Sequence, residues 1–168
     1  MIRQPRFSTV ERVNWAHLHL ALNHIPVLGT LFAFLLLCAA AALRNEEIKK
    51  ITLWAFVLLT AVSVPIKFTG DFAAQSVAKE PWIEPSIVKA HEESADQATG
   101  CIFVLGLVSG AGLFINRRVK SVPHWLVAML LIISAGTFLL MARTANIGGQ
   151  IRHPEIRPGY NLHHNSNH

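Results

Sequence analysis

The chain has 168 residues, of which 52% are hydrophobic and 15% charged. A soluble domain carries about 25% charged residues, so this balance excludes an ordinary water-soluble globule and points to a membrane. The formal net charge of +5 would suggest nucleic acid in a soluble protein. Here the basic residues flank apolar segments, as membrane anchors do, and nucleic acid is set aside as a partner.

Four apolar stretches follow one another: Ile25 to Leu43, Ile51 to Ile66, Ala98 to Ile115 and Trp125 to Ala142. Each is about long enough to cross a hydrocarbon core as a helix. The expected fold class is an all-α membrane protein, an antiparallel four-transmembrane-helix bundle, because a chain in lipid must satisfy its own backbone hydrogen bonds. Residues 1–157 would form this single domain and residues 158–168 a polar C-terminal tail.

The first helix is predicted from near Val13, with its span at 16–43, before the polar turn RNEEIKK. Its apolar run exceeds that of a secretory signal peptide, so the segment is expected to be retained. The second span, 49–69, is predicted to stop at Gly70 and to kink at Pro65. An interfacial connector, GDFAAQSVAKEPWIEP, is expected between the second and third helices. Glu84, Pro85 and Ser86 form a start signal for the third span, 86–116. Gly106 and Gly110 make a G-x-x-x-G pattern there, with Gly112 nearby, which favours close helix packing. After the basic turn NRRVKSVP the fourth span, 123–145, is predicted to end at Gly148 and Gly149. Cys38 and Cys101 lie toward opposite depths and read as small packing residues rather than a disulfide.

Orientation follows from the loops. The two short turns carry Arg44, Lys49, Lys50, Arg117, Arg118 and Lys120, whereas the long connector region carries Asp71, Glu80, Glu84, Glu92, Glu93 and Asp96. Basic short loops favour the cytoplasm, so a multi-pass protein of the bacterial inner membrane with both termini periplasmic is expected. Arg3, Arg6 and Arg12 in the N-terminal tail pull the other way.

With four antiparallel spans, His17, His19, His24, His91 and His153 gather at one face. Lys67, Asp71, Glu92, Glu93, Asp96, Arg143 and Arg152 surround them, and ionisable groups at membrane depth tend to mark function. His124 falls at the other face, beside a proline, where capping accounts for it. At about 100° per residue His17 and His24 share a helix face about 10 Å apart in height, while His19 points elsewhere. His24 and His91 are the expected facing pair, suited to a haem held by two imidazoles. His19 and His153 would be further ligands or orienters, with Lys67, Arg143 and Arg152 meeting the propionates. A non-haem metal is the rival: imidazoles with Asp71, Glu92 or Glu93, or the pair His17 and His19, would suit copper, zinc or iron. Histidines that merely bond headgroups or backbone carbonyls are the bland alternative.

The segments HLALNHIP at 19–26, HEESA at 91–95 and TANIGGQIRHPEI at 144–156 resemble a family of small, uncharacterised bacterial four-helix membrane proteins. That family is in turn distantly similar to b-type cytochrome membrane subunits. The resemblance runs from about His17 to Arg157, and it implies haem b at His19, His24, His91 and His153. Related cytochromes that carry electrons across a membrane place histidine pairs toward both faces, whereas this chain gathers its histidines toward one.

The leading expectation is therefore a membrane electron-transfer subunit that binds haem b near the periplasmic face. It would pass electrons between a periplasmic donor, such as a cytochrome, and quinone or a partner protein. The alternatives are a copper-binding membrane protein using the same histidines and a structural, non-redox subunit. The tail ending HHNSNH is expected to pack on a neighbouring subunit of a larger complex. A phosphate-binding loop, a nucleophile constellation and a zinc-protease motif are all lacking, which disfavours a hydrolase.

Overall fold

The computed structural model describes residues 14–77 and 80–157. The N-terminal arginines Arg3, Arg6 and Arg12 and the tail at 158–168 lie outside the described residues. The helices are α1 (Trp15–Leu22), α2 (His24–Ala42), α3 (Glu46–Val77), α4 (Pro85–Val119) and α5 (His124–Arg152), followed by a 3-10 turn at Pro154–Ile156. The described residues are all helix and connection, with no strand. Counting α1 and α2 as one rod, Trp15–Ala42, four helices are long and apolar enough to cross a membrane.

The break between α1 and α2 falls at Asn23, and its cause sits three residues on. Pro26 has no N–H for the Leu22 carbonyl and its ring crowds that carbonyl, so the helix restarts at His24. The Asn14 side chain caps α1 by accepting from the His17 N–H at 3.0 Å, and Asn45 does the same for Ile48 ahead of α3.

Two boundaries differ from the sequence expectation. Helix α3 does not stop at Gly70 but runs to Val77, so half of the predicted connector belongs to α3 and only a short link precedes Pro85. Helix α5 runs through Gly148 and Gly149 to Arg152. Both glycine signals were plausible stops, since glycine is common just past a helix end. Their actual use is close packing, as the site below makes plain.

The bundle is apolar outside and dotted with hydroxyls inside, the pattern of a chain solvated by lipid. Leu107 and Ile132 are 74% exposed, while Thr30, Ser109 and Ser134 are fully buried. The largest core cluster brings Leu37, Leu53, Phe56, Leu105, Leu126 and Leu130 together, and a smaller one joins Ala98, Ile102 and Met141. Close approach relies on glycine. A Cβ on Gly106 would meet the Thr60 hydroxyl, which lies 2.8 Å from the Ile102 carbonyl across the α3 and α4 contact. A Cβ on Gly112 would meet Leu53 and Leu126, whereas Gly110 faces open space. The contact is thus made by Gly106 with Gly112, not by the G-x-x-x-G pair. Gly106→Ala is expected to displace Thr60 and cost about 1–3 kcal/mol, read as an earlier midpoint in SDS unfolding.

At the end of the bundle that holds the short turns, Glu46 ties two elements together. Its carboxylate accepts from Lys49 Nζ at 2.6 Å and from the Val122 backbone N–H at 2.9 Å. Lys49 is only 2% exposed. It is a buried ion-pair partner rather than a free surface cation.

Candidate functional site

At the other end, α1, α3, α4 and α5 converge on two imidazoles. His19, from α1, has Nδ1 3.2 Å from the Thr69 hydroxyl of α3. That hydroxyl gives its one proton to the Ile66 carbonyl at 2.7 Å, so toward His19 it can only accept. His19 Nδ1 is therefore the donor, and the lone pair of the neutral ring resides on Nε2. His91, from α4, reaches the same state by another route: its Nδ1 lies 3.0 Å from the Thr144 backbone carbonyl of α5, an obligate acceptor. The Thr144 hydroxyl donates to Leu140 O at 2.9 Å and accepts from Ser94 at 2.7 Å, which fixes the α4 and α5 contact beside the ring.

Each ring also lies against a glycine. A Cβ on Gly70 would come within 3.0 Å of His19 Cε1, and one on Gly148 within 3.0 Å of His91 Cε1. A side chain at either position would push the imidazole back by a few tenths of an ångström, so glycine lets each ring sit this close to the neighbouring helix. This explains why α3 and α5 continue through the glycines that looked like stops. The stretch of α3 beyond Gly70 gives α1 a surface to pack on, with Trp15 and Phe72 ring centroids 4.8 Å apart.

The two imidazoles lie within electrostatic reach of each other, and His19 also feels Asp71 and Lys67. Lys67 bridges α3 and α4: its Nζ is 2.5 Å from Asp71 and 3.1 Å from Asp96. With two carboxylates on it, Lys67 is a clasp rather than a spare cation for an anionic ligand.

The remaining sequence candidates are placed elsewhere. His17 is exposed on α1, and His24 is exposed at the start of α2, with Nδ1 3.1 Å from its own Leu20 carbonyl. His19 is the imidazole within electrostatic reach of His91, whereas His24 bonds within its own stretch of chain. His153 is exposed, its Nδ1 2.8 Å from Glu155. The backbone N–H of Glu155 and then His153 hold that carboxyl below its ordinary range. Arg143 and Arg152 are exposed. Among the described residues no three His, Cys, Asp or Glu side chains gather as a metal-binding group.

Sequence reasoning missed Thr69, Gly70, Ser94, Thr144 and Gly148 as parts of the site. One signal was present: Thr144 and Gly148 are four apart, on one helix face, inside the most specific of the three motifs. Thr69 and Gly70 carried no signal, because only the fold brings them to His19. No family model, curated protein or solved structure matches the chain.

Proposed function

We propose that the chain is a membrane electron-transfer subunit that binds haem b through His19 and His91. One observation carries the reading: two imidazoles from different helices each commit Nδ1–H to a protein acceptor and keep an Nε2 lone pair for a ligand. Metal-bound histidines are oriented in this way, with the second ring nitrogen fixing tautomer and direction. The donor set fits haem better than a bare metal ion. A porphyrin supplies its own four nitrogens, so two imidazoles complete the iron, whereas copper or zinc would want a third or fourth protein ligand. Gly70 and Gly148 support the reading further, since they set how near each ring stands to the bundle.

The haem would supply one-electron chemistry. The chain would supply ligation, burial and charge, with Arg143 and Arg152 offered to the propionates. In this reading the helices form an antiparallel bundle in a bacterial inner membrane. Contacts between His19 and Thr69 and between Gly29 and Leu59 fit that run of α1 and α2 against α3. The site then faces the periplasm, and electrons pass between a periplasmic donor and quinone or a partner subunit.

The test is an absorption spectrum of purified protein, oxidised and dithionite-reduced. A Soret band with a sharp α-band on reduction is expected. A colourless protein would sink the reading, and stoichiometric copper in such a sample would favour the copper alternative. Gly148→Ala is expected to keep the fold and to weaken haem retention about tenfold, as loss of a ligand's supporting contact does. Haem transfer to apomyoglobin would measure it.

A further inference from the structure

The end of the bundle opposite the imidazoles carries more positive charge than the chain itself meets. Its two turns, between α2 and α3 and between α4 and α5, have Glu46 and Glu47 as the only carboxylates in or beside them. Both are taken up by lysines: Glu46 by the buried Lys49 at 2.6 Å and Glu47 by Lys50 at 2.5 Å. Arg44, Arg117, Arg118 and Lys120 are exposed, and none has an ion-pair partner among the described residues.

The backbone marks two of these cations. Arg44 and Lys120 have φ of 51° and 62°, the left-handed region just past a helix end where glycine is at home and a side chain is strained. They are the only non-glycine residues there among the described residues, so each turn holds a cation in the slot that glycine would fill without strain. Strain of this kind collects where a side chain has a task beyond the fold. The two turns are also joined, because the Glu46 carboxylate accepts from the Val122 N–H at 2.9 Å. Arg44 and Lys120 each stand two residues before that link.

Aromatic rings accompany the charge. The Arg118 guanidinium lies over the exposed ring of Phe114, 5.5 Å from its centroid, and Trp125 is 62% exposed at the start of α5. Cations beside exposed aromatic rings suit the headgroup layer of a bilayer. An acidic protein segment would answer the cations and leave the rings without a role.

We propose that this end binds anionic phospholipid, the headgroup phosphate held between Arg44 and Lys120, with Arg117 and Arg118 completing the charge. The surface lies at the far end of the bundle from His19 and His91 and is independent of what those imidazoles bind.

Native mass spectrometry of the full-length protein in detergent, given equal amounts of dioleoyl phosphatidylglycerol and dioleoyl phosphatidylcholine, reads the preference. The two lipids share acyl chains and phosphate, while choline brings a cation that the turns repel. Phosphatidylglycerol is expected to be retained about a hundredfold better, since each surface cation contributes about fivefold. Arg44→Gly with Lys120→Gly relieves the backbone while removing both charges. The SDS unfolding midpoint is expected to hold or rise in that variant while the preference falls about 20-fold. Lys89→Gln with Arg152→Gln, at the other end, is expected to leave the preference unchanged. Equal retention of the two lipids would overturn the proposal, as would a preference undiminished in the glycine pair or removed by the Lys89 and Arg152 pair.

Discussion

Alanine at His19 or at His91 is expected to strip the Soret band from the purified protein, whereas alanine at His17, His24 or His153 leaves it in place. The difference follows from what each ring nitrogen is doing. At His19 and His91 the Nδ1–H is held by a group on a different helix, Thr69 and the Thr144 carbonyl, so Nε2 is aimed by the tertiary structure. At His24 the acceptor is Leu20, one turn away in the sequence, and the ring is exposed. In the haem reading, losing either imidazole that would hold the group removes a ligand outright, a larger change than the 10- to 100-fold or so attached to an outer-shell partner. Glycine at the same positions sharpens the test, because free imidazole can fill the space and restore the band. Restored colour in His19→Gly and His91→Gly assigns ligation rather than folding. Loss in His24→Ala with retention in His19→Ala would return the pair to the sequence expectation.

The largest stability effect is expected from Glu46→Ala. Lys49 is buried and Glu46 is its salt-bridge partner, so removing the carboxylate leaves an ammonium without its counter-charge. Breaking such a pair from one side costs about 3 kcal/mol, the low end for a buried pair because Glu46 itself is 36% exposed, since the desolvation penalty of Lys49 stays while the attraction goes. The same change frees the Val122 N–H at the entrance to α5. Removing both charges, with Glu46→Gln and Lys49→Met together, is expected to recover most of the loss. SDS unfolding followed by helical circular dichroism measures both variants, and equal midpoints for single and double variants would refute the account.

Much of the fold is legible in the sequence. Four apolar runs of spanning length and Pro85 at a helix start are local facts, and they act locally: lipid forces helix wherever the run is long enough, and proline sets the start. The same local rules misread Gly70 and Gly148. A glycine stops a helix or lets another group approach it, and the choice depends on what stands opposite. At both positions an imidazole stands opposite, from a helix far away in sequence.

The site was half legible for the same reason. Chain topology predicted that histidines would collect at one end of the bundle, and helical phase separated His19 from the face shared by His17 and His24. It could not say which face looks inward, because in a membrane the outside of a helix is as apolar as the inside. Lys67 shows the limit for charge: the sequence offers a cation at a span's end, and the fold turns it into the link between Asp71 and Asp96. The sequence by itself determined that this is a four-span membrane protein with imidazoles at its disposal. Only the tertiary structure decided that His19 and His91 each turn Nδ1 to an acceptor on another helix, because such acceptors and glycines without side chains are what aim a ring.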